Sequence, residues 1–126
     1  MMKTDNRKLL ADTNIIPYIF NGNKEVRKLL EGYEIFISVI TEMEILCFPF
    51  LSSKEFQLVN ERLQELRIVD INEQIKDLVY KISLERKIKL TDCIIAATAS
   101  YLNIPLVTAD KVLDNIPFVD TILINI

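Results

Sequence analysis

Short apolar runs that end on polar junctions alternate along this chain with stretches of helical periodicity, and no other feature restricts its fold as much. Leu9-Leu10-Ala11, followed by Asp12-Thr13-Asn14, reads as a buried strand giving way to a short helix over Asn14 to Phe20. Asn21-Gly22-Asn23 ends that helix and Lys24 to Leu30 forms the next. Ile35-Phe36-Ile37 repeats the junction, with Ser38 as N-cap of a helix running from Val39 towards Leu51. Ser52 and Glu55 have capping-box spacing ahead of Phe56, Val59, Leu63 and Leu66, and Arg67-Ile68-Val69 is the third strand. Asn72 caps a helix carrying Ile75, Leu78, Val79 and Ile82 at i, i+3, i+4 and i+7. Thr91 precedes another over Asp92 to Leu102, with Asn103 suited to a left-handed C-terminal position. Pro105 to Thr108 and Val119 to Ile126 supply the last two strands. Alternation of this kind implies parallel βαβ units, so the expected fold is a three-layer α/β/α sandwich around a central, mostly parallel sheet.

No repeat, low-complexity segment or Gly/Pro/Ser linker divides the sequence, and one domain over residues 1–126 is the economical reading. Apolar stretches such as Ile45 to Leu51 fall far short of the roughly 18 to 20 residues of a membrane span. The charged N-terminal Met-Met-Lys-Thr-Asp-Asn-Arg-Lys has too few apolar residues behind it for a secretory signal, so a cytoplasmic protein is expected.

The chain contains no histidine, which excludes Ser-His-Asp and Cys-His nucleophiles and the H-E-x-x-H zinc motif. Cys47 and Cys93 lie in apolar surroundings and read as packing residues. With Gly22 and Gly32 as the only glycines, neither a G-x-G-x-x-G turn nor a P-loop can be built. Any active site must therefore use carboxylates, hydroxyls and amides. A net charge of −3 gives no strongly basic nucleic-acid footprint, although local distribution matters more than the sum.

Ligands of open parallel sheets bind beyond the carboxyl ends of the strands, where Asp12 and Asp110 both fall. Asp92 opens a helix, and Glu44 lies in the helix after the second strand, so four acids can meet at one edge. Each aspartate also has a structural reading: Asp12 as a helix cap, Asp92 as a complement to a helix dipole, Asp110 as a turn residue. Glu44 sits among mostly apolar helix neighbours, where an unpaired carboxylate is costly. Periodicity does not choose between Glu44 and Glu42, but a separation of about 200° means that only one of them faces the site.

The strings "LLADTNII", "ISVITEMEIL", "LTDCIIAATA" and "IPLVTAD", in this order and at these distances, resemble the PIN-domain nucleases, in particular the VapC-like ribonuclease toxins of bacterial toxin-antitoxin pairs. The resemblance runs from Leu9 to about Val119. It implies a catalytic, metal-binding set of Asp12, Glu44 (rather than Glu42), Asp92 and Asp110. Thr13 and Thr108 match hydroxyl positions that help to hold the acids, and Asn14 matches a frequent supporting residue. Val112-Leu113-Asp114 departs from the Asp-Phe pair usual after the fourth acid, which leaves Asp114 without a family role.

Two carboxylates about 4 Å apart repel by roughly 1 kcal/mol in water and about 4 at an effective dielectric of 20, so converging acids require a cation or raised pKa values. Hard oxygen donors select Mg²⁺ or Mn²⁺ over zinc. The resemblance implies endonucleolytic hydrolysis of RNA, which such an ion would assist, with Lys111, Lys89 and Lys87, and the neighbouring Arg86, as candidate phosphate contacts. The resemblance further implies a small antitoxin over the acidic edge, a homodimer, no membrane partner, and DNA only indirectly through the antitoxin. The alternatives are a non-catalytic scaffold or RNA-binding module, and a DNA-directed metal nuclease.

Overall fold

The computed structural model describes residues 7–126. The charged N-terminal segment, read above as having too few apolar residues behind it for a secretory signal, lies largely in residues 1–6, outside the described residues. Five strands, β1 (Lys8–Ala11), β2 (Glu34–Ser38), β3 (Arg67–Val69), β4 (Leu106–Thr108) and β5 (Thr121–Leu123), form one sheet in the order β3-β2-β1-β4-β5. Every pairing is parallel, so the sheet is uniform rather than mostly parallel.

Among the described residues six α-helices cover it: α1 (Ile16–Phe20), α2 (Lys24–Leu30), α3 (Val39–Leu46), α4 (Ser53–Leu63), α5 (Glu73–Glu85) and α6 (Leu90–Leu102). The starts of α2, α3, α4 and α5 follow from side-chain chemistry. Asn23, Ser38 and Asn72 each accept a hydrogen bond from a backbone amide in the first turn, and Ser52 and Glu55 close a reciprocal capping box. Asn103 ends α6 with φ 56°, the left-handed geometry that asparagine tolerates.

Two boundaries differ from expectation at α3 and α6, and a third at β5. Helix α3 stops at Leu46 rather than continuing towards Leu51, because Pro49 has no amide hydrogen and disfavours a helical Phe48 before it. Helix α6 starts at Leu90 without a side-chain cap: the Cys93 amide donates to the Lys89 carbonyl at 2.9 Å, so Thr91 lies inside the first turn instead of preceding it. Strand β5 is confined to Thr121–Leu123, since β4 offers only three residues to pair with and Phe118 (φ 73°) turns the chain just before.

Adjacent residues of the central strands feed opposite layers. Leu10 and Leu106 pack with Ile75, Ile82 and Ile95 of α5 and α6. Leu9, Ala11 and Val107 pack with Ile16, Val26 and Leu63 on the other side. Burial on both faces is why these strands are uninterrupted apolar runs. From β1 the chain moves outward to β2 and β3 over one face, then returns through α5 and α6 over the other to place β4 on the far side of β1. The reversal opens a crevice at the carboxyl ends of β1 and β4, where α/β sheets bind ligands. Among the described residues no helix is long and apolar enough to cross a membrane.

Candidate active site

Asp12 is the residue after β1 and is 3% exposed. Its Oδ1 accepts from the Thr13 amide at 2.8 Å and its Oδ2 from the Thr108 hydroxyl at 2.7 Å, so the end of β4 orients a carboxylate from the end of β1. The Thr108 oxygen also accepts from the Asp110 amide at 3.0 Å. One buried hydroxyl thereby ties two of the four acids together. Asp110 itself caps a short 3-10 turn over Lys111–Leu113, accepting from the Val112 amide at 3.0 Å.

The Thr13 hydroxyl donates to Glu44 Oε1 at 2.7 Å. Its one proton is then used, so the fully buried Thr41 hydroxyl, 2.9 Å away, is the donor in the bond between the two threonines. Thr41 is a positioning residue that sequence reasoning did not single out. The signal was present in its three-residue spacing from Glu44, which places both on one helix face. The two glutamates of α3 have different partners: Glu44 accepts from Thr13, whereas Glu42 accepts from Gln64 of α4 at 3.1 Å.

Asp92 lies in the first turn of α6, buried at 9% exposure, where the helix dipole favours an acid. Burial pushes its carboxyl above the ordinary range; the Lys89 ammonium opposes this, and the charges of Asp110 and Glu44 add to it. Burial likewise raises Asp12, opposed by the bonds from Thr108 and Thr13 and reinforced by the charges of Asp92 and Asp110. The structure thus brings Asp92 within electrostatic reach of Asp12, Asp110 and Glu44, and Asp12 within reach of Asp110.

Of the other predicted residues, Asn14 is exposed and lines, with Glu44, Pro17, Phe48 and Leu51, an open pocket of about 390 Å³ beside the acids. Lys89 acts on Asp92, and Lys111 is exposed immediately after Asp110, while Lys87 is an exposed side chain of the α5–α6 connection. Arg86 is not free for substrate: its guanidinium faces the backbone carbonyls of Val112, Asp114 and Asn115. Asp114 bonds its own neighbour, the Asn115 amide, at 3.1 Å.

As donors, four carboxylates flanked by hydroxyls suit a hard divalent cation, and raised pKa values at the two buried acids mark negative charge without adequate compensation. Among the described residues no three potential ligands are gathered tightly enough to hold an ion as they stand. Binding would draw in Glu44 and Asp110, the two more accessible acids.

An acidic site at the switch point of an all-parallel doubly wound sheet defines the class of domain. The family model of the PIN domain matches residues 9–119, and the chain belongs to that family. Its fold is similar to that of a toxin-antitoxin complex from Klebsiella pneumoniae, at 32% identity and TM-score 0.77, covering 92% of this chain and 99% of that one. It is also similar to VapBC-1 from nontypeable Haemophilus influenzae (25% identity, TM-score 0.74, covering 92% and 97%). VapBC2 from Rickettsia felis, bound to a promoter DNA fragment, shares the fold at 24% identity and TM-score 0.76, covering 92% and 98%. No curated protein sequence matches the chain at a significant level.

Proposed function

We propose that this PIN domain is a divalent-metal-dependent endoribonuclease, the toxin of a toxin-antitoxin pair. The observation that carries the reading is the charge coupling of Asp92 with Asp12, Asp110 and Glu44 near the β1 and β4 ends, with Asp12 bonded by Thr108 and Glu44 by Thr13. Those four acids would hold Mg²⁺ or Mn²⁺. When bound, such an ion supplies the Lewis acidity that offsets charge on a phosphodiester and its leaving oxygen.

The chain's own residues do the positioning. Thr108 and the Thr13 amide keep the Asp12 carboxylate aimed at the crevice, Thr41 and Thr13 steer Glu44, and Asn14 borders the adjoining pocket. Lys89 and Lys111, with Lys87 further out, offer positive charge to substrate phosphates, which the acids alone would repel. Membership of the PIN family and likeness to toxin-antitoxin complexes support a small antitoxin as partner, which we place over the acidic edge, with DNA reached through it and a homodimer as the assembly.

The test is cleavage of a mixed structured RNA, and of the matching DNA, by purified protein with Mg²⁺ or Mn²⁺, with EDTA, and with Asp12→Asn. An ion contributes several kcal/mol to such a reaction, and each 1.36 kcal/mol is tenfold, so the variant should lose about 100- to 10,000-fold. Equal turnover by wild type and variant, or preference for DNA, would overturn the reading.

A further inference from the structure

Arg86 ends α5 in an extended conformation (φ −139°, ψ 134°) and is half-buried. Its Nη1 donates to the Asn115 carbonyl at 2.8 Å and, more loosely, to that of Asp114 at 3.5 Å, while Nη2 reaches the Val112 carbonyl at 3.4 Å. From the other side the Thr121 hydroxyl donates to the Leu113 carbonyl at 3.2 Å. Four successive carbonyls of the turn after Asp110 are therefore satisfied by two side chains from distant parts of the chain.

This turn needs external support. It is one 3-10 turn followed by Asn115 at φ 60°, and it links the Asp110 cap to the buried Leu113 and Ile116. Arg86 also begins the connection that leads through Lys89 to Asp92. One guanidinium thus joins the segment before Asp92 to the segment after Asp110. Only a planar group with several donors spans carbonyls this way; an ammonium is a single point charge.

We propose that Arg86 is a positioning residue that sets the placement of Asp110 relative to Asp92 by clamping the Val112, Asp114 and Asn115 carbonyls to the α5–α6 connection. The inference rests on the reading that these acids hold a cation. Partners behind metal ligands commonly alter metal affinity or activity by about 10- to 100-fold when removed.

The experiment compares the full-length wild type with Arg86→Met and Arg86→Lys. It measures Mn²⁺ binding by calorimetry without RNA, amide exchange over residues 112–116, and single-turnover RNA cleavage across Mn²⁺ and salt concentrations. Arg86→Met should weaken Mn²⁺ binding about 10- to 100-fold and speed exchange in the turn. Saturating Mn²⁺ should recover most of the cleavage rate with KM for RNA unchanged, and Arg86→Lys should fall between. If Arg86→Met does not fold, Arg86→Lys carries the comparison alone. Mn²⁺ affinity within about twofold of wild type would overturn the inference, whatever happens to exchange. A raised KM with flatter salt dependence and unchanged Mn²⁺ binding would instead make Arg86 a phosphate contact. A wild type that binds no Mn²⁺ would remove the cation reading itself, an outcome distinct from equal binding by wild type and variant.

Discussion

Asp12 and Glu44 carry the same functional group and share one cluster, yet the molecule holds them in opposite ways. Asp12 is 3% exposed, with both oxygens bonded and its flanking strands packed into both layers of the core. Glu44 is exposed and held by a single hydroxyl, next to a connection where Phe48 and Phe50 stand 53% and 81% exposed. Desolvating a carboxylate costs free energy that the fold must offset, and Asp12 incurs that cost while Glu44 largely does not. The difference separates a preorganised half, at the β1 and β4 ends, from an adjustable half on α3 that a ligand or partner can draw in.

The contrast can be broken most forcefully at Thr108. Thr108→Val keeps the shape but removes the donor to Asp12 and the acceptor for the Asp110 amide. Groups left unsatisfied in this way cost about 1–3 kcal/mol of stability, and cleavage should fall about 10- to 100-fold. Because the Thr108 bond lowers the Asp12 pKa against burial, its loss raises that pKa further, and the acid limb of the pH–rate profile should move to higher pH. An unmoved limb would mean that Thr108 serves only the fold.

The adjustable half should respond less. Thr41→Val deprives the Thr13 hydroxyl of a donor but leaves its own bond to Glu44 intact. A loss of roughly 1 kcal/mol, or up to about tenfold in cleavage, is expected. If Thr41→Val and Thr108→Val proved equally damaging, the division into fixed and adjustable halves would be wrong.

Much of this arrangement was legible because it depends on local chemistry. Asn72, the Ser52–Glu55 box and Asn103 announce helix ends through short-range bonds, and the apolar runs of β1 and β4 announce strands buried on both faces. The placement of Asp12 and Asp110 at one edge follows from the rule for parallel sheets. What escaped was set by distant partners. Helical periodicity does not separate Glu44 from Glu42, which only the family resemblance distinguished, and Arg86 reads as a free cation until the Val112, Asp114 and Asn115 carbonyls are brought to it. The start of α6 at Leu90 went against a plausible threonine cap, since the fold aligns the Cys93 amide with Lys89 instead.

The smallest effect concerns stability without metal, and it tests the cost attributed to Asp12 directly. A carboxyl whose pKa is raised on folding binds its proton more tightly in the folded state than in the unfolded chain, where its ordinary value is 3.8. Below that value the acid is protonated in both states and imposes no penalty. As pH rises from there through the raised folded pKa the penalty develops, and it is complete above. Asp12→Asn removes the charge, so in EDTA at neutral pH it should melt about 2–5 °C above wild type, the gap closing as pH falls below 4. Other titrating groups are present in both proteins, so the difference reports Asp12 together with its coupling to Asp92 and Asp110. Adding Mn²⁺ should reverse the order, since an ion at 100 times its Kd stabilises the protein that binds it by about 2.7 kcal/mol. A variant that melts below wild type in EDTA at neutral pH would show that the bonds from Thr13 and Thr108 outweigh desolvation, and that the buried half of the site stabilises the fold rather than burdening it.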